Sequence, residues 1–165
     1  VWGDVPHEAI CQVAKNFGGV PHRAELVRVL DGVSYYNDSI GTSPTRTANG
    51  TLQLYDRKII LIAGGYDKQI PYDTLGPIIM DKVKTLILMG ATADKIEAAV
   101  KAAPNYCEQE IVILHANSME KAVALAKEQA QKGDIVSLSP ASASFDLYPN
   151  FEARGNHFKN IVNAL

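Results

Sequence analysis

The sequence predicts an α/β fold in which helices cover both faces of a mainly parallel sheet. From about residue 58 onward, short apolar runs of strand length alternate with amphipathic runs of helix length. The apolar runs are nearly continuous, as in parallel strands buried on both faces. A chain of 165 residues, 47% hydrophobic and 21% charged, can bury such a core. These observations indicate a Rossmann-like, doubly wound sheet preceded by an N-terminal helix and a β-hairpin.

Before the alternation begins, the sequence predicts a helix, a hairpin and a second, weaker helix. The first helix covers residues 5–17, and its apolar residues fall on one helical face: Ile10, Val13, Ala14 and Phe17. Two extended runs follow over 18–38, and Asp31-Gly32 between them is a strong hairpin-turn signal. A helix over 43–55 is weakened by Asn49-Gly50 in its middle.

Four strand–helix units complete the chain. Strands are predicted at 58–65, 85–90, 110–116 and 134–140, and helices at 71–83, 92–103, 117–130 and 151–164. Pro77 is a point at which the first of these helices could break, and Thr92 is placed to cap the second. Asn117, with Glu120 three residues later, resembles a capping box for the third.

Composition argues against several classes of function. The formal net charge of -2 provides no basic excess to drive nucleic-acid binding. No apolar stretch could span a bilayer and there is no signal peptide, so we expect a cytoplasmic protein without membrane association. Cys11 and Cys107 are expected to be free thiols. The chain opens with VWGDVPHEAI rather than methionine, and we expect it to be a piece of a longer protein.

Candidate binding loops follow from the fold, because ligands of doubly wound sheets bind beyond the carboxyl ends of the strands. These loops are 38–44, 64–70, 90–92, 116–118 and 139–150. The first carries Asp38, Ser39, Thr42 and Ser43, which could bind sugar hydroxyls, a metal or an anion. The same residue types also occur where a helix simply begins, since their side chains accept N–H groups of the first turn.

The second loop, 64–70, combines two glycines with Lys68. Glycine allows a ligand to approach the backbone, and a lysine ammonium can bind a carboxylate or a phosphate. A plain turn with a solvated lysine is an equal alternative. The loop lacks the spacing of a P-loop, and the chain contains no GxGxxG motif.

The last loop contains SPASASFDLYPN, a run of small and hydroxyl residues before the final helix. Small side chains leave room for a ligand, and Ser144 can supply one directed hydrogen bond. The start of the helix near Phe151 presents free N–H groups that suit a carboxylate. Together with Lys68, these groups predict a dicarboxylate ligand. Glu152 and Arg154 are interpreted as helix-terminus and packing residues.

Other candidate sites are weaker. His22 and Arg23 could hold a nucleotide, although such a pair alone is more often a surface pair. His7, His115 and His157 are scattered without the spacing of a metal site. The serines lack the GxSxG context of a hydrolase nucleophile.

The loops taken together resemble one family. His22-Arg23, Glu25 and Val27 precede Gly32-Val33 and YYNDS (35–39); GGYDK (64–68) follows, and then SPASASFD and NFEARG between residues 139 and 155. This pattern is similar to the carboxyl-terminal domain of the Mur ligases, and in particular of the member that adds D-glutamate. The resemblance extends from about Phe17 to the end of the chain. The Asp-Asn-Pro-Arg motif of the sister ligase for diaminopimelate or lysine is absent.

The resemblance implies ATP-dependent amide formation in peptidoglycan precursor synthesis. ATP phosphorylates the L-alanine carboxylate of UDP-N-acetylmuramoyl-L-alanine, and the amine of D-glutamate attacks the acyl phosphate. The matching positions imply that D-glutamate contacts Thr42, Lys68, Ser144 and the backbone N–H of Phe151. They imply that Arg23 and Asp38 contact the nucleotide, Asp38 at its ribose. Many relatives have lysine at the position of Ile40, near the transferred phosphate, so phosphate stabilisation must come from elsewhere or domain closure must differ.

The resemblance also divides the chain. Residues 1–17 are expected to be the tail or linker helix of a preceding central domain, and residues 18–165 the D-glutamate-binding domain. The family's P-loop, Mg²⁺ ligands and UDP site lie in other domains. We therefore expect no catalytic residue and no metal ligand here, ATP and Mg²⁺ bound mainly elsewhere, and an inactive fragment of a monomeric enzyme.

Three alternatives remain at this stage. A free-standing, flavodoxin-like binding module should carry an acidic cluster at the end of its first strand, and Asp38 has none around it in the sequence. Another ligase of the superfamily, of the folylpolyglutamate or cyanophycin type, would share the hairpin and sheet but not the SPASASFD and NFEARG motifs. A non-catalytic paralogue would keep the fold and bind only a partner, and Ile40 is the departure that favours it.

Overall fold

A computed structural model describes residues 5–165 and confirms the mixed α/β fold. Six strands form one sheet: β1 Glu25–Leu30, β2 Val33–Asn37, β3 Ile59–Ala63, β4 Val83–Leu88, β5 Val112–His115 and β6 Ile135–Leu138. Six α-helices accompany them: α1 His7–Asn16, α2 Pro44–Asn49, α3 Leu75–Lys82, α4 Ala93–Lys101, α5 Met119–Gln129 and α6 Phe151–Ala164. Short 3-10 turns occupy Thr51–Leu54 and Glu108–Glu110.

The strand order across the sheet is β1-β2-β6-β3-β4-β5. All neighbours pair in parallel except β1 and β2, which form the antiparallel hairpin predicted from Asp31-Gly32. Both turn residues have positive φ, 52° for Asp31 and 80° for Gly32, as a turn that matches the strand twist requires. The carboxyl ends of the five parallel strands therefore share one edge of the sheet.

Helices cover both faces of the sheet, and strand alternation divides the core accordingly. Ile59 and Leu61 of β3 face a cluster with α2, α3 and α4 that includes Leu52, Leu75, Ile79 and Val100. Ile60 and Ile62 face the other cluster, with α5 and α6, that includes Met119, Val123, Phe158 and Val162. This two-sided burial explains why β3 reads as a continuous apolar run.

Several helix boundaries differ from those predicted. The helix predicted at 71–83 begins only at Leu75, so Pro77 lies in its first turn, where a missing N–H breaks no helical bond. The helix predicted at 43–55 ends at Asn49 and continues as a 3-10 turn. The cap of α5 is Ser118, whose side chain accepts the N–H of Lys121, so the prediction of Asn117 was wrong. Both residue types are competent caps, and the conformation of the backbone where the helix begins decides which of the two acts as the cap.

Helix α1 forms where the apolar stripe predicted it but contains no buried residue. Its apolar side chains Ile10 and Val13, and that of Phe17 directly after it, are each more than half exposed. The first four residues of the expected 1–17 segment lie outside the described part of the chain. None of the described helices is long and apolar enough to cross a bilayer. Cys11 and Cys107 are both free, as predicted.

Candidate functional site

All six predicted site residues lie at the edge where the parallel strands end. Asp38 and Thr42 follow β2, Lys68 follows β3, and Ser144 and Phe151 follow β6. Because β1 runs antiparallel to β2, its beginning lies at the same edge. The N–H of Ala24 donates to Asp38 Oδ1 at 3.1 Å, which brings the neighbouring Arg23 to the loop after β2.

Specific hydrogen bonds hold the three main loops together. The N–H of Tyr66, two residues before Lys68, donates to the carbonyl of Ala143, immediately before Ser144, at 2.9 Å. Ser39 Oγ donates to the carbonyl of Phe151 at 2.8 Å. Loop 64–70 is thereby tied to loop 139–150, and loop 38–44 to the start of α6. The structure thus brings together the loops that carry the four residues predicted to bind D-glutamate.

Three polar side chains at this edge, those of Thr42, Lys68 and Ser144, have no protein hydrogen-bond or ion-pair partner among the described residues. Lys68 is exposed, whereas Ser144 is 2% exposed. Asn150 caps α6 by accepting the N–H of Ala153 at 2.7 Å. The N–H of Phe151, in the first turn, is left without an intrahelical acceptor. A cation, two hydroxyls and a helix N-terminus suit a small dicarboxylate.

Asp38 differs from the others because it is fully buried among protein partners. Its Oδ2 accepts hydrogen bonds from the hydroxyls of Thr51 and Ser139, and Arg46 Nη2 lies 3.6 Å from its Oδ1. This carboxylate holds the loop after β2 against β6 and the 3-10 turn. Ser43 caps α2, as the structural alternative for this loop predicted. The predicted contact of Asp38 with a nucleotide stays a prediction, as does that of the exposed Arg23.

A chain of buried hydroxyls supports loop 64–70, and sequence reasoning missed it. Ser142 Oγ lies 2.7 Å from the hydroxyl of Tyr72 and 2.8 Å from that of Thr92. Thr92 was predicted as a helix cap and does occupy that position, but its side chain instead accepts the N–H of Gly65 at 3.1 Å. The only sequence signal for this network is that each hydroxyl follows a strand at the same edge of the sheet.

His22 is 7% exposed, so the surface-pair interpretation of His22-Arg23 was wrong for the histidine. Asn37 Nδ2 donates to His22 Nδ1 at 2.9 Å and to Glu25 Oε2 at 3.1 Å. Burial alone raises the pKa of Glu25, but hydrogen bonds from the His22 N–H, Lys159 and Asn37 outweigh it and lower that pKa. A Cβ on Gly155 would lie 2.2 Å from His22 Nδ1, so glycine is required where α6 crosses this cluster.

The interpretation of Glu152 as a helix-terminus residue and of Arg154 as a packing residue is confirmed. Glu152 is exposed in the first turn of α6, where a negative side chain complements the helix dipole. Arg154 is 2% exposed and donates to groups of the surrounding loops. Burial lowers the pKa of Arg154 to about 10, which leaves the guanidinium charged at neutral pH.

One group of possible metal ligands lies among the described residues, formed by Asp94, Glu97 and His115. Glu97 is already paired with Lys101 at 2.6 Å and with His115 at 2.7 Å. Hydrogen bonds from Lys101 and His115 lower the pKa of Glu97. These pairs satisfy the central carboxylate, and no further observation points to a bound ion.

A family model and curated relatives both show similarity between this chain and the Mur ligases. A family model described as Mur ligase, glutamate ligase domain, matches residues 22–142. A UDP-N-acetylmuramoylalanine–D-glutamate ligase of Clostridium botulinum (strain Okra / Type B1) is 58% identical over 155 residues, which is 93% of this chain and 33% of the relative. This chain therefore spans about a third of the length of the curated relatives it matches.

Solved structures share the fold at low sequence identity. A murein peptide ligase from Psychrobacter arcticus 273-4 aligns with a TM-score of 0.55 and 16% identity, covering 94% of this chain and 32% of that one. A folylpolyglutamate synthase from Mycobacterium tuberculosis aligns with a TM-score of 0.54 and 13% identity, covering 85% of this chain and 32% of that one.

Proposed function

The chain belongs to the Mur ligase family as its carboxyl-terminal, glutamate ligase domain, and on that premise we propose that it binds D-glutamate for an ATP-dependent ligase. The enzyme would join D-glutamate to UDP-N-acetylmuramoyl-L-alanine in peptidoglycan precursor synthesis. The observation that carries this proposal is the meeting of loops 38–44, 64–70 and 139–150 at one edge of the sheet, with donors that have no partner among residues 5–165. The 58% identity to a ligase of that name supports the substrate.

D-Glutamate carries two carboxylates, and the proposed site offers a matching set of donors. We assign Lys68, Thr42, Ser144 and the Phe151 N–H to these carboxylates. Each charge-assisted hydrogen bond contributes about 1.5–3 kcal/mol relative to water. Two or three such bonds would favour a dicarboxylate over its monoacid analogue, because the monoacid leaves donors unpaired.

In the proposed reaction, ATP converts the L-alanine carboxylate to an acyl phosphate, and the D-glutamate amine attacks its carbonyl carbon. The tetrahedral intermediate then releases phosphate and leaves an amide. The part of this chain is to hold both carboxylates of D-glutamate so that the amine is presented to the acyl phosphate. Arg23 and Asp38 are proposed to contact the nucleotide, with support from the resemblance alone. Because Asp38 is buried, its contact requires a shift of the loop after β2.

ATP and Mg²⁺ are proposed to bind mainly to another domain of the enzyme, because the sequence of this chain contains no P-loop. Ile40 supplies no positive charge to the transferred phosphate, so that charge must come from another part of the enzyme. We propose that residues 1–17 belong with the preceding domain, since α1 buries none of its side chains here. Residues 18–165 would form the D-glutamate-binding domain of a monomeric, cytoplasmic enzyme.

A chimera tests this function directly. The carboxyl-terminal third of the Clostridium botulinum relative is replaced by this chain, joined either at residue 1 or at residue 18. We expect D-glutamate-dependent phosphate release from the chimera and only background release from the chain alone. The junction at residue 18 should perform at least as well, because residues 1–17 are proposed to belong with the preceding domain and this junction keeps the relative's own segment in their place.

The outcomes separate the proposed function from its alternatives. Turnover that depends on a substrate other than D-glutamate, such as a folate, would indicate a folylpolyglutamate-type specificity. A folded chimera that binds ATP but releases no phosphate with D-glutamate would contradict the proposal and favour a non-catalytic paralogue. Phosphate release by the isolated chain would contradict the division of labour between domains.

A further inference from the structure

Arg154 is the one guanidinium among the described residues that is almost completely buried, at 2% exposure. Arg154 makes no ion pair with any carboxylate among residues 5–165. Its donors are directed instead at backbone and hydroxyl oxygens. Nε donates to Ser39 Oγ at 3.0 Å and Nη2 to the Ser39 carbonyl at 2.9 Å. Nη1 donates to the carbonyls of Ser142 and Ala143 at 3.1 and 3.0 Å.

These contacts join separate loops through one rigid group. Ser39 belongs to loop 38–44, which carries Thr42, and Ala143 directly precedes Ser144. Arg154 itself lies in the first turn of α6, three residues after Phe151. Gly65 of the Lys68 loop is also adjacent, because a Cβ built on it would lie 3.1 Å from Arg154 Nη1 and 2.2 Å from the Ala143 carbonyl. Arg154 therefore lies at the junction of every segment that carries a proposed D-glutamate contact.

We infer that Arg154 is the positioning residue of the D-glutamate site, which sets the spacing of Thr42, Ser144 and the Phe151 N–H. The inference rests on the proposed function and adds a residue to it. The planar fork can hold carbonyls of two loops at once, which a lysine ammonium on a flexible stem cannot reproduce. Arg154 is not proposed to touch the substrate or the reacting atoms.

The test compares Arg154→Lys with Arg28→Lys in this chain. Arg28 is a matched control because its Nη1 also donates to two carbonyls, those of Val162 and Asn163, at the far end of the same helix. Arg154→Lys loses bonds from α6 to loop carbonyls, whereas Arg28→Lys loses bonds from β1 to carbonyls of α6. The dissociation constant for D-glutamate is measured by amide NMR, and thermal melting records stability. We expect on the order of tenfold weaker binding for Arg154→Lys and less than twofold change for Arg28→Lys.

Each outcome has a distinct meaning. Equal D-glutamate affinity in Arg154→Lys and the unsubstituted chain, or an equal loss in Arg28→Lys, would overturn the inference while leaving the proposed function intact. Absence of D-glutamate binding by the unsubstituted chain would overturn the proposed site and the inference together. If Arg154→Lys does not fold, Ser39→Ala removes the side-chain partner of Nε together with the Ser39 Oγ bond to the Phe151 carbonyl, and it leaves the three carbonyl contacts of Arg154 in place. That variant should bind D-glutamate at least threefold more weakly, and unchanged affinity in it would overturn the inference.

Discussion

Replacing Gly64 by alanine is expected to lower the free energy of unfolding by about 3–5 kcal/mol, the largest stability effect of a single methyl group predicted for this chain. Gly64 ends β3 with a φ of 109°, a conformation that side chains other than glycine rarely adopt. A Cβ there would lie 1.9 Å from the carbonyl oxygen of Met89 and 3.0 Å from its carbonyl carbon. Neither backbone atom can move without displacing β4. The backbone strain at Gly64 and the steric overlap with Met89 therefore both contribute to the loss of stability.

The matched control is Gly133→Ala, which separates strain from overlap. Gly133 has a similar φ of 94°, but the nearest atom to its added Cβ is 3.7 Å away. Only backbone strain remains there, and we expect a loss of about 1–2 kcal/mol. Urea denaturation of both variants gives the comparison. Equal losses would show that the close approach of Gly64 to β4 does not exist in solution.

Replacing Lys68 by methionine is expected to weaken D-glutamate binding by about 10- to 100-fold. Lys68 is exposed and forms no ion pair within the described part of the chain. Removing its ammonium should therefore leave the free energy of unfolding within about 0.5 kcal/mol of the original value. The loss of one charge-assisted bond to a carboxylate corresponds to about 1.5–3 kcal/mol, which gives the expected change in affinity.

The control for Lys68 is Lys127→Met, which removes the same charge from the last turn of α5. Because α5 begins after β5 and runs back along the sheet, Lys127 lies at the opposite edge from the proposed site. Its loss should change D-glutamate affinity less than twofold. Similar weakening in both variants would mean that net charge, and not a local contact, determines binding.

Much of the fold was predictable because its signals are local. Asp31-Gly32 determines the hairpin turn, and a continuous apolar run marks β3, which is buried on both faces. The alternation with helices then requires parallel pairing and one ligand-binding edge. The boundaries of α3 and α5 were less predictable. Proline is compatible with a first turn as well as with a break, and adjacent Asn117 and Ser118 are both competent caps.

The site was predictable at the level of loops but not of individual contacts. Loops after parallel strands must meet, so the positions of Lys68 and Ser144 follow from topology. The burial of Asp38 and the hydroxyl chain around Ser142 depend on pairs distant in sequence. Ser39 and Arg154, for example, are 115 positions apart, and nothing in either neighbourhood indicates the other. Sequence reasoning correctly assigned Arg154 to packing but could not show that it joins the loops of the site.

The central claim is that this domain recognises D-glutamate through its own loops. Amide NMR titration of the chain with D-glutamate, and with L-glutamate for comparison, tests it most directly. We expect binding near the millimolar level, equivalent to about 4 kcal/mol, since the rest of the enzyme is absent. The account predicts shifts confined to the amides around Thr42, Lys68, Ser144 and Phe151, and larger for the D isomer. Equal responses to both isomers, or no response at high concentration, would contradict the claim that these residues select D-glutamate.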